Sequence, residues 1–308
     1  MTHTPVLLTE VLLYLDPRPG TFVVDGTLDG GGHAEEILQR LKPEGTFLGV
    51  DLDPGMTERF AKRVRPKDVR VRVAHGNYAD LPNILRDAGL PKADGLLVDL
   101  GFSSEQLGSS GRAAPGERAS SHAGRGFSFT NDEPLQMTYD PGAVPLRDLL
   151  LKVSEPDLAN IIREFGGERM AGRVARAIVE RHRKQRIETT GDLASIVRGA
   201  LPRSYERGRI DPATRTFQAL RIWANDELGN LPRLLKALPD ILAPGGRAVI
   251  ISFHSAEDRL VKQSFAAGKK SGRYELLTKK PITPSREEET RNPRSRSAKL
   301  RAIKLFRN

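Results

Sequence analysis

Between Thr21 and Asp99 four short apolar runs alternate with amphipathic stretches, and this rhythm narrows the fold more than any other feature of the chain. Thr21-Phe22-Val23-Val24-Asp25 reads as a buried strand, followed by the turn Gly30-Gly31-Gly32 and a helix from about His33 to Leu41. Thr46 to Asp51, Val69 to Ala74 and Gly95 to Asp99 supply three more strands. Strands separated by helices, with both sheet faces buried, predict a parallel, doubly wound α/β sheet.

The rhythm breaks after Asp99. Residues 108–125 are mostly Gly, Ser, Ala and Arg, with little that packs, and read as a flexible surface loop. Helical stretches around 145–151, 155–165, 168–185 and 190–200 follow with no strand between them, which predicts an inserted all-α domain. The α/β pattern resumes with one long helix from about Ala213 to Leu238, a turn at Pro244-Gly245-Gly246 and a fifth strand from Arg247 to Phe253. A closing hairpin is expected at Tyr274–Thr278 and Leu300–Phe306, joined by a loop. The expected domains are therefore a discontinuous α/β domain, 1–107 with 213–308, and a helical substrate-recognition domain, 108–212.

A chain of 308 residues buries about 75% of its unfolded surface without staples. It has no cysteine, which removes disulfides, zinc–thiolate sites and cysteine nucleophiles together. No apolar run approaches the roughly 18 residues of a membrane span, and the start lacks a signal peptide's pattern. The expectation is a soluble, cytoplasmic protein with no membrane partner. The net charge of +10 is uneven: Lys269–Asn308 carries +9 and Arg163–Arg209 carries +6, leaving −5 elsewhere. Two basic blocks on an acidic body point to a polyanion; a solvated tail and a solvated helix are the alternative. Arg169, Arg173, Arg176 and Arg183 share one helical stripe, apart from Met170, Val174, Ala177 and Ile178.

Strand, glycine turn and helix together let backbone N–H groups approach a ligand closely. Asp51 follows at the end of the second strand, where an acid accepts ribose hydroxyls. The dinucleotide fingerprint fails, because Glu35 occupies its last glycine position. Asp25 and Asp29 flank the turn and suit a cationic sulfonium better than a pyrophosphate, so S-adenosylmethionine is favoured over NAD; a purely structural turn is the alternative. Asp99-Leu100-Gly101-Phe102-Ser103-Ser104-Glu105-Gln106 and Ser252-Phe253-His254-Ser255 both leave strands at their carboxyl ends, where open α/β sheets bind ligands. His254 is there either a packing residue or a substrate contact. The other histidines show no metal-ligand spacing, and no metal site is expected. Asn292-Pro293-Arg294-Ser295-Arg296-Ser297-Ala298-Lys299 combines arginine forks and hydroxyls that suit phosphate oxygens. Aromatics at 6% argue against a broad base-stacking platform.

These segments resemble the bacterial 16S rRNA (cytosine-N4)-methyltransferases, the RsmH or MraW family. The resemblance rests on His3-Thr4-Pro5-Val6-Leu7, Asp25-Gly26-Thr27, Gly30-Gly31-Gly32-His33, Asp51-x-Asp53-Pro54 and Asp99-Leu100-Gly101-x-Ser103-Ser104-x-Gln106-Leu107. It continues through Arg125-Gly126-Phe127-Ser128-Phe129, Pro212 to Arg221, Ser252 to Arg259 and the Asn292–Lys299 loop. It implies a class I (Rossmann-like) S-adenosylmethionine-dependent methyltransferase sheet with a helical insertion. It also implies methylation of N4 of a decoding-centre cytidine, with 16S rRNA or the small ribosomal subunit as partner; a homodimer is left open.

By the same resemblance Gly31, Gly32, His33, Asp51, Tyr78, Asp99 and Gln106 line the cofactor. Asp99 and His254, helped by Ser103 or Ser255, hold the base. Arg173, Arg176, Arg215, Arg294, Arg296 and Lys299 are the candidate RNA contacts. The chain departs from the family at Asp29, where glycine is usual, at Glu105, in Leu135–Asp140, and in a longer 108–125 loop, read as a surface insertion rather than a lid. The missing cysteine agrees with direct attack by an exocyclic amine, since C5 methylation of cytosine uses a cysteine adduct. Two other functions stay open: a DNA amino-methyltransferase, and a non-catalytic RNA-binding protein on a methyltransferase fold.

Overall fold

A computed structural model of the chain describes residues 5–64, 66–100, 124–202, 205 and 211–306, with only the backbone described at Arg294. The chain divides into two compact units, Met1–Ser103 with Leu228–Asn308, and Ser104–Glu227. The first unit begins with α1 (Leu8–Leu15), β1 (Phe22–Asp25), α2 (Gly32–Arg40), β2 (Gly45–Asp51), α3 (Pro54–Arg63), β3 (Val69–His75), α4 (Leu81–Asp87) and β4 (Ala93–Asp99). The second contains α5 (Leu146–Leu149), α6 (Glu155–Gly166), α7 (Ala171–Lys184), α8 (Thr190–Ala200) and α9 (Ala213–Ala224). The chain then continues through α10 (Glu227–Ile241), β5 (Leu242–Ser252), α11 (Ser255–Lys270), β6 (Tyr274–Leu276), α12 (Arg286–Arg291) and β7 (Lys299–Leu305).

The strands form one sheet in the order β3-β2-β1-β4-β5-β7-β6. The first five are mutually parallel, and β7 runs antiparallel to both its neighbours. This is the class I methyltransferase sheet that the resemblance implies. Successive side chains of a strand face opposite sides, so Phe22 and Val24 pack with Leu85, Leu234 and Phe265, while Val23 packs with Val11, Ile37 and Phe60 on the other face. The strand order reverses between β1 and β4, and ligands of open α/β sheets bind outside the carboxyl ends at such a point. Asp25, Asp51 and Asp99 are the last residues of β1, β2 and β4. Among the described residues no helix is long and apolar enough to cross a membrane.

The helical unit has its own core. Leu158, Ile162, Val174, Ile178 and Leu193 are buried there together with Ala213, Phe217 and Leu220 of α9. Helix α9 therefore belongs to the helical unit, and the expected single helix 213–238 is two. Asn225 ends the first: its Nδ2 donates to Arg221 O at 2.9 Å and to Met137 O at 3.0 Å, and its Oδ1 accepts from Tyr139 N at 2.8 Å. Asp226 follows in the left-handed region at φ 48°. The unit thus extends to Glu227, beyond the expected boundary at 212.

Two smaller expectations also change. Pro244-Gly245-Gly246 lies within β5, where pairing with β4 passes from Leu242 opposite Ala93 to Arg247 opposite Gly95, so the turn, with Gly245 at φ 84°, sits inside the strand as an irregularity of the ladder. The segment expected as a loop before β7 contains α12 and a 3-10 turn at Pro293–Ser297. Ser285 Oγ caps α12 by accepting from Glu288 N at 3.1 Å, and Glu287, Glu288 and Glu289 in its first turn with Arg291 in its last complement the helix dipole.

Candidate active site at the carboxyl edge of the sheet

The β1–α2 connection is shaped by carboxylates. Asp25 Oδ1 accepts from Thr27 N at 3.1 Å, and Thr27 Oγ1 in turn accepts from Asp99 N at 2.7 Å. Asp51 receives Asp29 N on Oδ2 at 2.9 Å and Asp53 N on Oδ1 at 2.8 Å. One side chain thus fixes both the loop and the end of β2. Asp29 sits at φ 45°, in the left-handed region that Asp tolerates better than most residues. Asp53 caps α3 by accepting from Gly55 N at 2.8 Å, ahead of Pro54 at the first helical position.

Gly31 follows at φ 78°, and a Cβ built there would lie 2.5 Å from Arg63 Nη2 and 2.8 Å from Phe60 Cδ2. Arg63 straps the turn, donating to Gly30 O at 2.7 Å and pairing with Glu35 at 2.9 Å. Gly32 opens α2, and Tyr78 begins a 3-10 turn after β3, its Cβ 3.2 Å from where a Cβ on Gly26 would stand. Arg63 was not foreseen, because an arginine at the exposed end of a helix carries no sequence signal for a turn thirty residues earlier.

Burial dominates the electrostatics. It pushes the Asp25 carboxyl well above the usual carboxylate range; the Thr27 N–H draws it back, while Asp99 and Asp51 push it further up. Burial likewise raises Asp51 to about 6, against the N–H groups of Asp53 and Asp29. His33 is pulled down to about 4 by burial, so it is neutral at pH 7. Its Nε2 donates to Val6 O at 2.9 Å, leaving Nδ1 as an acceptor 3.8 Å from Asp99 Oδ2. A neutral ring with its lone pair toward a carboxylate makes no ion pair. His33 also anchors the segment before α1, whose Leu7 N donates to Glu288 Oε1 at 2.7 Å.

At the end of β5, His254 caps α11. Its Nδ1 accepts from Glu257 N at 3.4 Å, and Glu257 Oε2 accepts from the N–H groups of Phe253 at 2.8 Å and His254 at 3.2 Å. This is a capping box with histidine in the place of serine. The ring's Nε2 lies 3.0 Å from Glu257 Oε1 but off the line of a hydrogen bond. Ser255 is exposed at the first position of α11. Ser103 and Gln106 lie outside the described residues, as does most of the 108–125 loop.

The candidate RNA contacts divide. Arg173 and Arg296 are exposed, whereas Arg176 pairs with Glu155 at 3.3 Å and Arg215 lies 4.0 Å from the buried Glu168. Lys299 is 3.8 Å from Asp258, which Arg301 holds bidentately at 2.7 and 3.2 Å. The Arg294 side chain is outside the described residues. The C-terminal basic block is not confined to the carboxyl edge of the sheet. Lys299 pairs with Ser252 at that edge, but Tyr274 pairs with Leu305 at the opposite end of the sheet, carrying Arg273 with it.

The chain's similarities follow the same sheet and turns. The sequence model of the MraW methylase family matches residues 1–306. A ribosomal RNA small subunit methyltransferase H of Syntrophus aciditrophicus (strain SB) is 45% identical over 315 residues, covering 97% of this chain and 96% of that one. The protein of the same name from Geobacter sulfurreducens is 43% identical, covering 98% of each chain. With the glycine turn, the three strand-end aspartates and an end-to-end match in hand, the chain belongs to the MraW methylase family.

Proposed function

We infer that the chain transfers a methyl group from S-adenosylmethionine to the exocyclic N4 amine of a decoding-centre cytidine in 16S rRNA. The observation that carries this reading is the acidic, cysteine-free carboxyl edge, where Asp25, Asp51 and Asp99 are buried at 1%, 6% and 4% exposure around a glycine turn. Such a cluster disfavours phosphates and favours a cofactor with a sulfonium and an ammonium. Asp51 keeps acceptor capacity on both oxygens for ribose hydroxyls, and Tyr78 stands where an adenine face would pack. The sulfonium supplies the electrophilic methyl. The protein's own residues orient the amine, whose lone pair is delocalised into the ring, and keep water away. Asp99 accepts from the amine, and His254, at the adjoining strand end with its Nδ1 engaged by the Glu257 N–H, is the second contact to the base. The cytidine reaches such a site only unstacked. Gln106, Ser103 and Ser255 complete the proposed set, and the exposed Arg173 and Arg296 hold phosphates.

The test is a radiolabelled methyl assay offering naked 16S rRNA, small subunits and DNA in parallel, with nucleoside analysis of the product. Label in N4-methylcytidine from rRNA or subunits is the expected result; label only in DNA sinks the reading. Replacing His254 with Ala should lower turnover at least tenfold while leaving cofactor affinity within twofold, and unchanged turnover removes His254 from the reaction. Cofactor binding should also titrate. With Asp51 raised to about 6, its carboxylate is mostly protonated at pH 5 and mostly ionised at pH 7.5. Affinity should therefore rise about tenfold between these values and then level off. Calorimetry across that range checks it, and Asp51→Asn should flatten the profile.

A further inference from the structure

We propose that the outer face of α11, with the foot of the sheet beneath it, is a track for single-stranded RNA leading away from the reaction site. This rests on the reading of the chain as an RNA methyltransferase. Arg259, Lys262, Lys269, Lys270 and Arg273 are all exposed. At 100° per residue the four on the helix fall within about a third of its circumference, opposite the buried Glu257, Val261, Phe265 and Gly268. They start one turn from His254 and end at the far edge of the sheet, where Tyr274 pairs with Leu305. From Arg259 to Lys270 the helix rises about 16 Å.

Three other helices carry ion pairs on their exposed faces. Arg40 pairs with Glu36 on α2, Lys62 with Glu58 on α3 and Arg291 with Glu287 on α12, each four residues apart. Helix α11 does not. Its only acids are Glu257, buried in the capping box, and Asp258, held by Arg301 and Lys299. No ion pair engages any of the five cations among the described residues. The acids at the foot, Asp240 on α10 and Glu275 on β6, make no ion pair with these cations among the described residues. Uncompensated like charges along one face weaken a helix, and a polyanion is the partner that offsets them.

The foot adds an aromatic. Phe306 is 45% exposed, and its N–H donates to Arg273 O at 3.0 Å, which ties the two chain segments together at the foot of the sheet. An exposed ring at the foot of the sheet, where the stripe ends, suits an unstacked base, whereas a duplex offers no base face. The surface is also rigid. Gly268 packs so closely on Tyr274 that a Cβ there would overlap the ring, which fixes the end of α11 on β6.

The experiment measures binding of a labelled single-stranded 16S rRNA fragment to the full chain without S-adenosylmethionine, over a series of salt concentrations. Lys269→Gln/Lys270→Gln/Arg273→Gln should weaken binding and lower the slope of log affinity against log salt by about 2, near 0.7 per lost phosphate contact. Phe306→Ala should weaken binding about tenfold with the slope unchanged. Both variants should bind S-adenosylmethionine as the parent does, which shows that they fold. Unchanged RNA affinity and slope in the triple variant overturn the track, as does an equal preference of the parent for duplex DNA. An enzyme that methylates no RNA yet shows these binding losses would sink the proposed reaction and leave the track standing.

Discussion

Asp99→Ala is expected to lower methyl transfer to 16S rRNA by about 10²- to 10³-fold, the usual cost of removing one well-placed polar group from a reacting centre. Three features set that magnitude. Asp99 is the last residue of β4, at the strand-order reversal, with its backbone N–H held by Thr27 Oγ1 at 2.7 Å. It is 4% exposed, so bulk water does not screen its charge. It also faces the Nδ1 of a neutral His33 at 3.8 Å, an acceptor beside an acceptor. Asn in place of Asp keeps the volume and one acceptor, so Asp99→Asn should retain more activity than Asp99→Ala. Single-turnover rates at saturating cofactor measure the chemical step itself. An alanine variant within threefold of the parent would remove Asp99 from the reaction.

The reach of the sequence follows from how local each feature is. The strands were legible because runs such as Val23-Val24 and Leu96-Leu97-Val98 are buried on both faces, and their strand-end acids needed only the chain's own order. The all-α insertion was legible for the same reason. What escaped was set by distant partners. The break between α9 and α10 depends on Asn225 binding Met137 O and Tyr139 N, nearly ninety residues away. Helix α12 is six residues long without a buried side chain, so it has no apolar stripe to read. The spacing from His254 to Glu257 is that of a capping box, a signal visible in the sequence, where His254 reads instead as a packing residue or a substrate contact. Arg176, Arg215 and Lys299 carried the right charge for RNA, yet each lies near an acid that only the fold brings close.

Gly31→Ala is expected to weaken S-adenosylmethionine binding by at least 10²-fold while the sheet still folds. The position combines two obstacles. At φ 78° an L-residue is strained, by about 1–2 kcal/mol. The added methyl would also stand 2.5 Å from Arg63 Nη2 and 2.8 Å from Phe60 Cδ2. These neighbours differ in how they yield. The Arg63 guanidinium is the far end of an exposed chain and swings away, giving up its bonds to Gly30 O and Glu35. Phe60 is 2% exposed in the core beneath the sheet, so its ring stays and the loop must move instead. The backbone N–H groups at the start of α2 then shift relative to Asp51 and Asp99, and a ligand cradle tolerates little such displacement. Arg63→Ala alone should change affinity only a few-fold, and Gly31→Ala in that background should recover little, because Phe60 still blocks the methyl. Calorimetry on the three variants, with thermal melting as the check on folding, tests this. Full recovery in the double variant would show that the arginine strap, not the core ring, requires glycine at this turn.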